Sequence, residues 1–307
     1  MTGPKQLSDL IIEKCSELGF SDAGIVSAGF LDAESGHFRE WLSKGYAADM
    51  NYMLNNAEKR TDPRLLFEGC RSVIVVLLNY RQKDYNSCIS EYACGDDYHQ
   101  VLKNKLEILK RDIGLIAGKE VQMKTFADTK PVMEKAWAVR AGLGWQGRNC
   151  LVVNPDLGTK IYIGGILTDL ELEPVVRSKV RTCGNCRKCI DACPTAALDF
   201  PGSLNSVKCI AYQTIENKGS IPDEIASKMT GSIYGCEICQ NVCPWNERNA
   251  GNISGVFLSR PFTKLSPEEW IEMTEEEFQL ACSNTNILRT GLQKMKDNAT
   301  IVVRNKK

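Results

Sequence analysis

Four cysteines spaced Cys183-x2-Cys186-x2-Cys189-x3-Cys193 and followed by Pro194 carry the clearest chemistry in this chain. A 4Fe–4S cube needs four thiolates converging on its corners. A tight loop with two-residue gaps delivers three of them, and the cysteine before proline points to a second cube. A near-symmetric second half follows, Cys236-x2-Cys239-x3-Cys243-Pro244, with Cys209 upstream as the eighth ligand. The expected sets are Cys183, Cys186, Cys189 and Cys243 for cluster one, and Cys193, Cys209, Cys236 and Cys239 for cluster two. Zinc sites also use C-x2-C spacing, but three close cysteines ending in Cys-Pro, with the Cys-x2-Cys-x3-Cys-Pro run given twice, fit cubes better. The other six cysteines (Cys15, Cys70, Cys88, Cys94, Cys150 and Cys282) have no ligand spacing and read as small buried hydrophobes.

Gly142-Leu143-Gly144-Trp145-Gln146-Gly147 satisfies G-x-G-x-x-G literally. A dinucleotide fingerprint must follow a strand and open a helix, so that a pyrophosphate meets the helix N-terminus. Here an expected helix precedes the motif and an expected strand follows it, which rules that reading out. Three glycines in six residues still mean that backbone approaches something closely, either another element or a large flat cofactor. Asp128 stands just before the same helix, where capping or turn formation is its plain role. Only His37 and His99 exist, so histidine-rich metal chemistry is excluded, and His99 in Asp97-Tyr98-His99 is a candidate polar site residue.

Elements must position these groups. Residues Leu7, Leu10, Ile11, Cys15 and Leu18 fall at helical spacing, and Ala23 to Val26 reads as a short strand. Short helices are expected at Phe38–Leu42 and Met50–Met53, around a turn at Gly45. Ser72 to Tyr80 is a fully buried strand, Val101 to Ile116 an amphipathic helix, and Pro131 to Ala141 a helix with proline in its first turn. Leu151–Asn154 and Ile161–Thr168 read as a hairpin around Pro155-Asp156-Leu157-Gly158. Alternating strands and helices predict an α+β class with an α/β core over residues 1–176. A polar stretch from Glu171 to Lys179 marks a boundary, a ferredoxin-type domain covers 177–248, and a short helical tail covers 249–307. In the tail, Ser266-Pro267-Glu268-Glu269 is a helix start.

With 307 residues, 43% of them hydrophobic, the chain can bury a core without disulfides, so its fourteen cysteines need not form them. No signal-type apolar stretch opens the chain, and the longest apolar run, Val73 to Leu78, is far short of a membrane span. Reduced thiols without an export signal imply a cytoplasmic protein with no membrane role. Lys+Arg and Asp+Glu balance at 38 each, so net charge does not decide for or against a nucleic acid. Local basic patches do bear on it: Arg177, Lys179, Arg181, Arg187 and Lys188 beside the first cysteine loop, and Lys294, Lys296, Arg304, Lys306 and Lys307 in the tail.

Taken together, these motifs resemble those of the epoxyqueuosine reductases. The resemblance is carried by Met50-Asn51-Tyr52-Met53, Lys59-Arg60-x-Asp62-Pro63-Arg64, Leu78-Asn79-Tyr80 and Tyr92-Ala93-x-Gly95-x-Asp97-Tyr98-His99. It continues in Asp128-Thr129-x-Pro131-Val132-x-Glu134 and Ala141-Gly142-Leu143-Gly144-Trp145-x-Gly147, then in Cys209-Ile210-x-Tyr212-x-Thr214-Ile215-Glu216. It closes with Ile233-Tyr234-Gly235-Cys236 and Cys243-Pro244-Trp245-Asn246. The resemblance implies a nitroreductase-like core that binds cobalamin base-off and a ferredoxin-like domain with two 4Fe–4S clusters. Tyr98, His99, Gly142, Gly144, Trp145 and Gly147 would line the cofactor, and Asp128 would be the proton donor. The implied reaction is reductive deoxygenation of epoxyqueuosine to queuosine at the wobble position of tRNAs with GUN anticodons. The enzyme would be a monomer fed by a low-potential donor such as a ferredoxin or flavodoxin. At least one basic patch is expected on the anticodon-stem phosphates. The chain departs from the family pattern at Ala47-Ala48, where His-Gly is usual, at Asp96, usually basic, and at Lys130, usually small. Two rivals are a related reductase of a small substrate, such as an organohalide, and an electron carrier without catalysis. Against the carrier, some 180 residues precede the cysteines, more than cluster binding needs.

Overall fold

The computed structural model describes residues 3–177, 181–199, 202–248, 251, 255 and 257–306. Lys179, Lys307 and most of the stretch from Asn249 to Ser254 lie outside the described residues. Six strands matter for the site: β1 (Asp22–Ser27), β2 (Ser72–Asn79), β3 (Met123–Phe126), β4 (Trp145–Gln146), β5 (Val152–Val153) and β6 (Ile161–Thr168). Four of them form one antiparallel sheet in the order β1-β2-β6-β3.

Strand β2 is buried at all eight positions, and side chains alternate across a sheet. Ile74, Val76 and Leu78 enter one core with Leu7 and Ile11 of helix Pro4–Glu17 and with Leu102, Leu106, Leu109 and Ile113 of helix Tyr98–Ala117. Val73, Val75 and Leu77 enter a second core with Val132, Trp137 and Leu143. Cover on both faces is why β2 reads as an unbroken apolar run. A third core joins Ile89 and Ala93 to Ile210, Ile225 and Ile233 and to tail residues Phe262, Trp270, Phe278, Met295 and Val302. The tail is therefore built into the body. Ser266 and Glu269 form the expected capping box, and Thr274 with Glu277 forms a second.

Two local expectations are corrected. The helix expected from Pro131 starts at Glu134. Ahead of it Asp128 adopts a left-handed conformation, φ 59°, and its N–H is held by the Glu134 carboxylate, which keeps the intervening bend out of the helix. The hairpin of Leu151–Asn154 with Ile161–Thr168 does not form. The turn is there, with Asn154 and Gly158 exchanging two backbone bonds of 2.9 Å, but β5 pairs with β4 and β6 pairs with β2 and β3. Strand β6 has eight residues, six of them buried, and needs backbone partners along its whole length. β2 supplies eight in register, while a two-residue strand cannot.

Candidate functional site

Asp97 caps the helix that begins at Tyr98, its carboxylate accepting the His99 N–H at 2.9 Å. The same oxygen holds His99 Nδ1 at 2.6 Å, which aims His99 Nε2 at Asp128 Oδ2, 2.7 Å away. Tyr98 donates its hydroxyl to that oxygen at 3.0 Å. Three predicted site residues therefore meet: the start of one helix grips the carboxylate that follows β3. Behind them Tyr98 stacks on Tyr162 at 4.5 Å and 7°, and His99 stacks on Tyr98 at 4.0 Å.

The electrostatics sort the protons. Burial lowers the His99 pKa, but hydrogen bonds to Asp128 and Asp97, with their charges, outweigh it and carry the imidazole up to about 9. Burial pushes Asp128 up, yet the His99 hydrogen bond and charge, then Tyr98 and Arg289, hold it below the usual carboxylate range. Near neutrality His99 is thus an imidazolium facing an ionised Asp128 whose side chain is 53% exposed. Glu134 beneath is raised to about 8 by burial and by the Asp128 charge. Arg289, bonded to Glu216 at 3.2 Å, and Arg60, bonded to the Tyr52 carbonyl, also act on this carboxylate. The helix expected from Val101 thus begins three residues earlier, at Tyr98, with Asp97 as its cap. Arg60 and Arg289 carry no spacing signal, because they reach the site from separate segments, while Glu134, six residues after Asp128, stands in the family motif with no role assigned to it.

The glycine loop meets the cysteine module. A Cβ on Gly142, φ 72°, would lie 2.6 Å from the Arg177 carbonyl oxygen, and one on Gly144 would lie 2.4 Å from that of Val153. Close backbone packing therefore accounts for these two glycines. Gly147 is equally tight against Asn149 and Val153. Trp145 meets Trp245, just after Cys243-Pro244, edge-on at 4.9 Å, and its indole N–H is buried without an acceptor.

All fourteen cysteines are free. Burial raises the Cys189 and Cys243 thiols, and the thiols acting on them are Cys183 with Cys243, and Cys183 with Cys186. Burial likewise pushes Cys236 to about 12 and raises Cys209, and here the neighbours are Cys193 and Cys209. Cys239 is raised by burial, then by Cys236, Cys209, Cys189 and Cys193. Most of these neighbours share an expected set, while Cys189 acts on Cys239 across the two. Cys183, Cys186, Cys189 and Cys243 border a cavity with about 340 Å³ of empty space, shared with Arg148, Asn149 and Trp245. Among the described residues no three ligating side chains converge on a single-ion position.

A buried ion cluster binds this module to the core. Lys160, next to β6, pairs with Glu91 and lies 4.0 Å from Glu237, which stands between Cys236 and Cys239; the three side chains are 7%, 2% and 7% exposed. The Glu91 N–H donates to Glu237 at 2.8 Å, and the Tyr80 hydroxyl donates to Gln240 at 3.2 Å. Of the departures from the family pattern, Asp96 is matched by Arg260 at 2.8 Å, Ala48 takes a left-handed φ of 51°, and Lys130 is exposed. No helix among the described residues is long and apolar enough to cross a membrane.

Known proteins align with this arrangement. Residues 182–246 match the family described as "4Fe-4S double cluster binding domain", so the chain carries two such clusters. Residues 60–129, which end just after Asp128 is reached, match "Epoxyqueuosine reductase QueG, DUF1730". An epoxyqueuosine reductase of Cyclobacterium marinum is 39% identical over 305 residues, covering 96% of both chains. A solved epoxyqueuosine reductase bound to an epoxyqueuosine-modified tRNA-Tyr stem loop is 29% identical, with a TM-score of 0.89 over 98% of this chain and 81% of that one. A reductive dehalogenase linked to B12-dependent dehalogenation shares the fold at 17% identity and a TM-score of 0.51, over 99% of this chain and 36% of that one. Near-complete coverage at such identity, over a site built from the motifs that suggested it, places this chain in the epoxyqueuosine reductase family.

Proposed function

We propose that this protein reduces epoxyqueuosine to queuosine at the wobble position of tRNAs with GUN anticodons, as a cytoplasmic monomer fed by a ferredoxin or flavodoxin. The carrying observation is the Asp128 carboxylate, half-exposed and bonded to an imidazolium, in a member of the epoxyqueuosine reductase family. Converting an epoxide to an alkene releases its oxygen as water and consumes two electrons and two protons. Two clusters that pass single electrons suit the first demand.

Cobalamin, when bound, supplies a low-potential centre able to deliver electrons to an epoxide carbon. Neither histidine would be offered to a bound corrin as a free imidazole: both His99 nitrogens are engaged by carboxylates, and His37 is exposed on helix Asp32–Ser43. Tyr98, His99 and the Gly142–Gly147 loop with its unpaired Trp145 indole would hold the ring's polar periphery. The proton for the departing oxygen rests on His99 Nε2, and Asp128 Oδ2, which shares it, hands it on as general acid. Asp97 keeps the imidazole oriented, and Glu134 fixes the Asp128 backbone. Reading of the base fits single-stranded loop nucleotides, whose edges a protein can reach.

Mass spectrometry of tRNA nucleosides from a strain lacking the gene tests this. Epoxyqueuosine should accumulate and queuosine return with the wild-type gene. Unchanged queuosine in the deletion strain would refute the proposal.

A further inference from the structure

The two cysteine loops differ in what surrounds them. In the first, Gly184, Asn185, Arg187 and Lys188 are all exposed; in the second, Gly235, Glu237 and Gln240 are buried against the core. The first loop is the module's outward surface, and it is basic. Arg181 lies over the Trp245 ring at 5.5 Å, and Arg148 donates to the Gly184 carbonyl at 2.8 Å. The carboxylate on this segment, Asp191, stands 3.6 Å from Arg187 and leaves the other cations in excess. The second loop lies toward the reaction site: Tyr234, two residues before Cys236, meets the Tyr92 ring at 6.1 Å, and Tyr92 meets Tyr98 at 6.3 Å, while Glu216, on the segment following Cys209, pairs with Arg289 at 3.2 Å.

We propose that the exposed basic face of Arg181, Arg187 and Lys188 over the first cysteine loop docks a small acidic protein that carries single electrons. One electron passes from the carrier, which is oxidised, to cluster one, which is reduced, and then inward to cluster two; no bond forms or breaks and no proton moves. Charge complementarity steers such encounters and suppresses wrong partners. The tRNA polyanion belongs on the Asp128 side, where Arg289 and Lys294, the latter bonded to the Gly219 carbonyl at 3.4 Å, offer separate cations. This assignment rests on the reading of the chain as a reductase fed by a carrier protein.

The test uses the full chain, reconstituted anaerobically with both clusters, and a variant carrying Arg187→Glu and Lys188→Glu. Bleaching of cluster absorbance by reduced ferredoxin is followed by stopped flow at several salt concentrations. The wild-type rate should fall steeply with salt. The variant should react roughly tenfold slower at low salt, with a flattened salt dependence. Iron content, reduction by dithionite and binding of an anticodon stem loop should not change. If the charge reversal costs iron, the Arg187→Gln, Lys188→Gln pair gives the same comparison with a smaller effect. Unchanged ferredoxin kinetics in a cluster-replete variant would overturn the proposal. Weakened stem-loop binding with normal ferredoxin kinetics would assign the face to RNA. Dithionite-driven turnover of an epoxyqueuosine stem loop separates the two claims, since its absence in wild type would defeat the reductase reading and leave the docking result standing.

Discussion

Arg187 and Glu237 occupy matching places in the two halves of the cysteine module. Each precedes a four-residue helix, Lys188–Asp191 or Ile238–Asn241, with φ −121° and its carbonyl accepting the first helical N–H groups. The backbone is the same and the surroundings are opposite. Arg187 is 52% exposed beside Asp191, and Glu237 is 7% exposed between Lys160 and Glu91. Local sequence sets the geometry that presents thiolates to a cluster. Tertiary packing then turns one half to solvent and the other to the reaction site, and the side chain at the matching position takes the charge its side requires.

Removing a thiolate should break this symmetry most completely. Cys186→Ser should lose cluster one, so that anaerobically prepared protein holds about four irons instead of about eight, with the other cluster's spectrum intact. Loss of both clusters would show that the halves are one unit. Beyond the inner half lies the proton donor. Asp128→Asn should keep both clusters but turn over about 10²–10⁴-fold more slowly, the usual worth of a positioned acid. A normal rate would return Asp128 to a capping role.

The charged residues of the two halves differ in stability terms. Lys160→Met strands two buried carboxylates and should cost about 3–5 kcal/mol, the usual penalty for breaking a buried ion pair. Arg187→Met, at the exposed position, should stay within about 0.5 kcal/mol. Urea unfolding midpoints of both variants decide this, and equal losses would contradict the contrast.

pH probes the site that the inner half serves. His99 has a folded pKa above its unfolded one, so its contribution is complete below the ordinary histidine value and is lost as pH rises through about 9. Asp128 is depressed, so its contribution is present above the ordinary aspartate value and fades as pH falls through the lowered one. Turnover should therefore be flat around neutrality and fall above about pH 9, a limb that His99→Gln should abolish. A further small effect is expected at Ala48, left-handed in the turn whose Tyr46 carbonyl accepts the Ser206 N–H of the cysteine module. Ala48→Gly should raise stability by about 1 kcal/mol, read as a shift in thermal midpoint.

How much of this was readable depended on range. The Cys-x2-Cys spacings, the buried β2 strand and the Ser266 cap follow from neighbours a few residues apart, because spacing within one loop, strand or turn determines which atoms can converge. The reaction site was readable only in part: His99 stood out as a candidate polar residue, while the proton-donor role of Asp128 came from resemblance. The mispaired hairpin failed for the same reason. A turn is chosen by its own residues, but a strand's partner is chosen by which other strand can satisfy its whole backbone.

By itself the sequence determined the two-cluster framework and the apolar layers that must be covered, since both rest on short-range spacing. Only the tertiary structure decided that His99 would grip Asp128, that Lys160 would bury itself beside a cluster loop, and which loop would face solvent. Each of those joins residues at least 29 positions apart or opposes two near-identical loops. Such contacts are settled by burial and charge pairing across the whole fold, which no local pattern contains.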